Sequence, residues 1–296
     1  MDALYAFMRY TDDLIDAAPP GFEDDLDKAI SRQREQLHLW REALQNSLIN
    51  GEDLVDDKGP MLAGQVPDDE SIAMSLLPAL VDTVKKYHIP ADCLYAVLDG
   101  VEMDLDRRCY QTFEELRLYC QRVASAVGLA CIHIWGFRGQ GTPQGEAALD
   151  AARQAGIALQ LTNILRDLKA DAVAGRIYLP LEDLHNCGYS VEELKKGVVN
   201  KAFYHLMDME INLARQLYQE GCKLFDFLDR DGQRIFGLMT TVYHSLLEKI
   251  ARRPSDVFSR PIRLGKFERL ILFLYWMLIP SIMAEKKIRG TISGEP

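Results

Sequence analysis

The stretch Leu159–Pro180, LQLTNILRDLKADAVAGRIYLP, places polar side chains where a buried helix is expected to carry apolar ones. At about 100° per residue, Gln160, Asn163, Asp167 and Asp171 fall within roughly 80° of one another and form one polar stripe. The run before it, Ala147 to Leu161, is rich in Ala, Leu and Ile, which predicts a helix packed into a core. Two carboxylates in such a place are costly unless a cation meets them. A hard divalent metal fits, because Mg²⁺ takes oxygen ligands and is usually held by one or two carboxylates together with substrate phosphates.

A second stripe opens the chain. In LYAFMRYTDDLID (Leu4–Asp16), Tyr5, Arg9, Asp12 and Asp16 are spaced i, i+4, i+7 and i+11 and share one helical face. Asp13 points about 100° away from Asp12 and is left out of the ligand set. Two such helices, packed with their aspartates toward one another, would line a cavity with four carboxylates and suit a diphosphate bridged by Mg²⁺.

The pair of D-x-x-x-D motifs, Asp12/Asp16 and Asp167/Asp171, resembles the squalene/phytoene synthase family. The second motif is the more specific one, since QLTNILRD, a further Asp and GRIYLP together lie close to the family signature. The similarity continues through DGVEMDL (Asp99–Leu105), YCQRVASAVG (Tyr119–Gly128) and VYHSLLEKI (Val242–Ile250), and so covers most of the chain. Members usually carry a further N-terminal helical segment with a Ser and Lys or Arg motif near the diphosphate site. Its absence here points to a truncated or late-assigned start.

Composition is consistent with this reading. The 296 residues would allow about two domains by length, but no linker or low-complexity tract divides them, and the expectation is one all-α isoprenoid synthase domain of many helices over 1–296, around a central cavity. A formal net charge of −10 disfavours nucleic acid as a partner. Six cysteines occur singly, with no C-x-x-C and no zinc-type spacing, and no signal peptide is apparent, so the expected location is a reducing cytoplasm. The longest apolar run, Leu270 to Met283, contains Pro280 and falls short of the ~20 residues needed to cross a bilayer. Peripheral membrane contact through this last helix, which carries Phe273, Tyr275, Trp276 and Met277, is the expectation, with covering of the cavity as its alternative.

Along the chain, the first helix is expected to end at Pro19-Pro20, followed by a charged helix over Phe22–Leu48 and a loop over 50–69. Further helices are predicted near 71–87, 91–106, 112–138, 144–171, 200–229, 231–252 and 264–287. Between Gly175 and Gly197 the periodicity breaks, and GRIYLPLEDLHNCGYSVEEL reads as a loop over the site, with a capping-type Ser190 and Glu193.

The resemblance implies roles residue by residue. Asp12, Asp16, Asn163, Asp167 and Asp171 would hold Mg²⁺, with Mn²⁺ as a substitute. Tyr5, Arg9, Gln160, Asn163, Arg166, Arg176 and Arg260 would contact substrate, the arginines through bidentate bonds to diphosphate. The alternative for each arginine is a structural ion pair. Tyr119 is taken as catalytic, with Tyr178 and Tyr243 also bordering the reaction cavity; each is equally suited to an amphipathic core position. Glu102 and Asp104 match a family pattern without an assigned role. Ala124, Ser125, Val127, Gly128, Ala152 and Gly156 are candidates for the wall of a prenyl tunnel, against the alternative of close helix packing.

The implied activity is Mg²⁺-dependent head-to-head condensation of two prenyl diphosphates through a cyclopropylcarbinyl diphosphate. DGVEMDL and RVASAVG lean toward bacterial enzymes that join two farnesyl diphosphates to presqualene diphosphate or squalene, NADPH supplying the hydride if squalene is the product. A phytoene synthase using two geranylgeranyl diphosphates is the alternative. A terpene cyclase or chain-elongating prenyltransferase would share the carboxylate logic but not the GRIYLP context. A non-catalytic helical family member acting as an assembly partner is the rival from another class.

Overall fold

The computed structural model describes residues 1–16, 26–50, 70–106 and 109–279, together with 288, 290 and 292. The described residues are helical, with only two isolated β-bridges, Cys109–Ile177 and Phe137–Leu228. They fall into two compact units, 1–106 and 107–296, each described by itself. The expected stop at Pro19-Pro20 and the expected loop beyond Asn50 lie outside the described residues.

The first unit holds α1 (Asp2–Asp16), α2 (Leu26–Asn50), α3 (Glu70–Tyr87) and α4 (Ala91–Asp106). In α1, Leu4, Phe7 and Thr11 recur at helical spacing and are buried. Trp40 of α2 packs on them. Its ring lies 5.9 Å from Phe7 and its indole N–H donates to Thr11 Oγ1 at 3.0 Å. Gln33 Nε2 donates to the Ile15 carbonyl at 2.7 Å, fastening the last turn of α1 to α2. Because 4, 7 and 11 are buried, Tyr5, Arg9 and Asp12 fall on another face and are exposed. Arg41 of α2 meets both Asp99 and Glu102 of α4, which gives Glu102 a structural partner.

The second unit is built on α7 (Pro143–Val173), about 46 Å long at the usual helical rise. Its start follows from local chemistry: Thr142 is extended and accepts from Gly145 N–H, and Pro143 sits at the first helical position. Before it come α5 (Phe113–Cys120), one π turn (Gln121–Ser125) and α6 (Ala126–Trp135). The predicted single helix over 112–138 is therefore interrupted by wider i→i+5 bonding, the N–H of Ala126 reaching the Gln121 carbonyl.

The stretch predicted as a loop carries two short helices, α8 (Leu181–Cys187) and α9 (Val191–Lys196). Each ends at a glycine in the left-handed region, Gly188 (φ 67°) and Gly197 (φ 65°), and the Ser190/Glu193 capping box starts α9. The chain continues through α10 (Lys201–Gly221), a 3₁₀ turn over Cys222–Asp226, α11 (Arg230–Arg252), α12 (Asp256–Ser259) and α13 (Lys266–Leu278).

Absent side chains let α7 meet its neighbours. A Cβ at Gly156 would lie 2.5 Å from Ser125 Cα, and one at Gly221 of α10 would lie 2.6 Å from Ala155 N. The α7–α10 contact continues at Thr162, whose hydroxyl lies 2.9 Å from the Tyr218 hydroxyl. Gly156 is thus a helix-packing residue, not an open wall of a prenyl tunnel, because its hydrogen already touches the π turn. Gly237 of α11 does the same for Trp276 of α13, which is 0% exposed and donates to Thr241 Oγ1 at 3.2 Å.

Two predictions follow from this packing. Gly156→Ala will lower stability by about 1–3 kcal/mol, the usual cost of overpacking, because the π turn and α7 must move apart; chemical denaturation checks it. The second concerns Glu210 of α10, which is 0% exposed and whose carboxyl burial, assisted by the nearby Asp183 charge, pushes up to about 8 from an ordinary 4.5. The folded state then holds this proton more tightly than the unfolded chain, so stability falls as pH rises from 4.5 to about 8. Glu210→Gln will flatten that decline, raising the melting temperature at about pH 9 and changing it little at about pH 5.

Candidate active site

The stripe on α7 keeps its predicted arrangement. Gln160, Asn163, Asp167 and Asp171 are all half-buried, whereas Leu161, Ile164, Leu165 and Leu168 between them are buried in the core. Asn163 Nδ2 donates to Gln160 Oε1 at 3.4 Å, and Asn163 Oδ1 is buried without a hydrogen-bond partner. A buried carbonyl oxygen left unpaired on the same stripe as two carboxylates is an oxygen donor set that suits a hard cation. Among the described residues no three Asp, Glu, His or Cys side chains converge as a metal cluster. The set on α7 is thus a partial shell, of the kind that substrate phosphate and water complete around Mg²⁺.

Asp167 is held by its neighbour. Arg166 Nε donates to Asp167 Oδ1 at 2.9 Å and its terminal nitrogen to Oδ2 at 2.5 Å, a bidentate pair with both partners part-exposed. The Asp167 bond, followed by the charges of Asp167, Tyr243 and Asp171, holds the Arg166 guanidinium above its ordinary range despite partial burial. The ion-pair alternative for Arg166 is therefore present in this structure. It is also exchangeable, because a part-exposed pair is worth little and yields to a stronger ligand.

Arg166 and Asp167 line one side of an open cleft of about 1020 Å³. The other wall comes from the segment 257–264 and from Arg269 of α13, and it includes Arg260. Arg260 itself pairs with Asp256, one helical turn back, at 2.5 Å. The structure thus brings Arg260 to the same cleft as Arg166. Lys169, Arg263 and Arg269 line it too and were missed from sequence. Lys169 carries a signal in hindsight, two residues after Asp167, although its ammonium donates to the Phe258 carbonyl at 2.8 Å.

Tyr119 and Tyr178 come together in the core, and a third tyrosine joins them. The Tyr119 hydroxyl lies 3.4 Å from that of Tyr178, and their rings stack at 5.2 Å. Tyr110 packs against both, at 5.5 and 6.0 Å, and all three are buried. Tyr110 stands outside any regular element, so no periodicity marks it; the Cys109–Ile177 bridge places it. The Arg176 N–H donates to the Asp171 carbonyl at 2.8 Å, so the GRIYLP turn leaves α7 directly from the second aspartate. Tyr243 of α11 is half-buried.

Tyr5, Arg9, Asp12 and Asp16 belong to the first unit. Arg9 turns to Asp13 at 2.8 Å, an exposed i, i+4 pair, because Asp13 is the acid one turn along from it. Tyr5 is 71% exposed. The side chain of Asp16 lies outside the described residues.

The squalene/phytoene synthase family model matches residues 1–268. The 15-cis-phytoene synthase of Synechocystis sp. is 34% identical over 264 residues, covering 87% of this chain and 70% of that protein. The chloroplastic phytoene synthase of Daucus carota is 33% identical over 269 residues, covering 91% of this chain but 60% of that protein. A crystal structure of a dehydrosqualene synthase superposes with a TM-score of 0.67 at 24% identity, over 93% of this chain and 84% of that one, a likeness of fold. From the first residue to the start of α13, the chain belongs to the squalene/phytoene synthase family of prenyltransferases.

Proposed function

We propose that the chain catalyses Mg²⁺-dependent head-to-head condensation of two prenyl diphosphates, and that both are twenty-carbon donors, giving phytoene. The observation that carries the chemistry is the cleft lined by Arg166, Asp167 and Arg260, in which Asp167 is the member shared with the polar stripe of α7. The twenty-carbon choice is supported by relatives named phytoene synthases at 30–34% identity. They favour it over the fifteen-carbon donor toward which DGVEMDL and RVASAVG lean.

On this reading Asn163 Oδ1, Asp167 and Asp171 of α7 would hold Mg²⁺, and the resemblance of the first D-x-x-x-D motif assigns Asp12 and Asp16 the same role. Bound Mg²⁺ supplies Lewis-acid withdrawal of charge from the departing diphosphate. Arg166 turns from Asp167 to the phosphate oxygens, and Arg260 binds them through its planar fork. The C–O bond of one donor breaks with its electrons leaving on diphosphate, and the double bond of the second donor attacks the resulting allylic cation. A proton is lost as the cyclopropane closes. The phenols of Tyr119 and Tyr178 border that charge, and the buried apolar wall behind them excludes water. Loss of a proton after the second ionisation gives phytoene, so NADPH is not consumed. Free thiols at all six cysteines suit the reducing cytoplasm that we propose for it.

Asp167→Asn will reduce Mg²⁺-dependent diphosphate release by about 10²-fold or more, the scale for losing one charge-stabilising group. Its stability will change by less than about 1 kcal/mol, because only a part-exposed ion pair is removed. Full activity in this variant would exclude the α7 site. Product extraction with farnesyl and geranylgeranyl diphosphate offered separately, each without NADPH, will give a forty-carbon hydrocarbon from the second donor. Turnover of the fifteen-carbon donor alone would reverse the chain-length assignment and leave the condensation intact.

A further inference from the structure

Glu210 of α10 is the outlier among the buried polar groups. It is 0% exposed, and both of its carboxyl oxygens are buried and accept no hydrogen bond. Buried acids in native folds are normally satisfied by a donor or a cation, so a carboxyl left this way needs a physical account. The polar side chain that meets it is a second acid, Asp183 in the first turn of α8, a helix that packs against α10. Two carboxyls can share such a place when one keeps its proton and donates it to the other.

The surroundings say which acid holds the proton. Burial first, then the Asp183 charge, keeps Glu210 neutral, whereas Asp183 is raised by burial and by Glu182 but drawn down by its bond with Glu210. Glu210 is therefore the donor and the Asp183 carboxylate the acceptor. The other titratable groups facing the pair are the thiols of Cys187 on α8 and Cys120 at the end of α5, both held neutral chiefly by burial. From α7 and α11, which also pack on α10, no described group acts on Glu210, and no cation is among its neighbours. Among the described residues no third metal-ligating side chain completes a cluster with the two acids.

What this proton holds is the first turn of α8. The N–H groups of Leu181 and Glu182 bond to the carbonyls of Tyr110 and Gln111 at 2.9 and 3.1 Å, and Glu182 Oε1 accepts from Phe113 N–H at 2.9 Å where α5 begins. Tyr178 lies three residues before Leu181, stacked with Tyr110 and Tyr119. We propose that Glu210 and Asp183 are positioning residues: one proton shared between their carboxyls clasps the first turn of α8 to α10 and so holds the Tyr178 turn against Tyr110 and Tyr119. Without that proton a buried charge faces a like one, and Asp183, which is only half-buried, turns to water as the clasp opens. The effect on turnover rests on the condensation reading, in which these phenols border the cation. The clasp itself does not.

Amide hydrogen exchange of the full chain without substrate, corrected for the intrinsic pH dependence of exchange, tests the clasp. The closed clasp binds the proton more tightly than the open one, in which Glu210 meets water, so closing weakens as pH rises from 4.5 to about 8 and changes no further above it. Protection over 181–187 is expected to fall by about tenfold or more between about pH 5 and pH 8, and to stay below that of 157–168 in α7 at every pH, the mark of a local opening. Glu210→Gln keeps a donor for Asp183 at every pH and will flatten the decline. Glu210→Met, of similar size but with no proton to share, will lower protection over 181–187 at all these pH values. In Mg²⁺-dependent diphosphate release at about pH 7, Glu210→Met will lose about fivefold or more of kcat/KM while Glu210→Gln retains it, and the ratio of wild type to Glu210→Gln will decline toward pH 8 and then level. A pH-independent wild type, a decline kept in Glu210→Gln, or equal protection in the two stretches would overturn the clasp. Equal kcat/KM in the Gln and Met variants would overturn its positioning role. Exchange is read without substrate, so it decides the clasp whether or not the chain condenses prenyl diphosphates, and the two readings fail separately.

Discussion

The constraint on which the second unit depends is the close approach of neighbouring backbones to α7. Where Gly156 meets Ser125 and Gly221 meets Ala155, no Cβ fits. Short side chains there let the π turn and α10 pack almost backbone to backbone, which gains dispersion contacts that larger residues at wider spacing would not supply. The helix is fixed along its buried side, and its polar stripe is therefore fixed in direction. A half-buried carboxylate can be aimed only if the helix carrying it cannot roll, and the small-residue contacts prevent rolling.

Burial sorts the titratable groups of this unit into two kinds. Glu210 and His244 lie inside, where burial favours their neutral forms, pushing the carboxyl up to about 8 and the imidazole below its ordinary value. Their neutral forms cost less to bury than their charged forms. Asp167 and Arg166 sit at the boundary, charged and bonded to each other. Their desolvation is partial, so the pair can be formed and broken at small cost. That property suits a site where a carboxylate must exchange an internal cation for an external one.

The tyrosines show how the loop after α7 is tied to the site. Tyr178 lies in the GRIYLP turn, Tyr119 ends α5 and Tyr110 precedes α5, yet the three rings form one buried cluster. The turn is held by backbone bonds from Leu181 and Glu182 to the carbonyls of Tyr110 and Gln111 at 2.9 and 3.1 Å. Short helices α8 and α9, stopped by their glycine caps, continue from this anchored turn. What reads in sequence as an interruption of helical periodicity is thus an ordered part of the core.

The sequence by itself determined the long helices and the motif faces, because both rest on local periodicity, but not the short α8 and α9 or the π turn before α6. A polar residue every three or four positions within an apolar run shows which face departs from the core, and Asp167, Asp171, Asn163 and Gln160 were legible for that reason, as was the shared face of Tyr5, Arg9 and Asp12. Only the tertiary structure decided contacts between residues far apart in the chain. It placed Arg260, Arg263 and Arg269 in the cleft with Arg166, put Tyr110 beside Tyr119, turned Gly156 into a packing contact, and left Phe267 and Leu278 of α13 exposed while burying Trp276. Periodicity records that a face is apolar or polar. It carries no information on which partner, or whether any, lies against that face, since this depends on the directions of other helices in space.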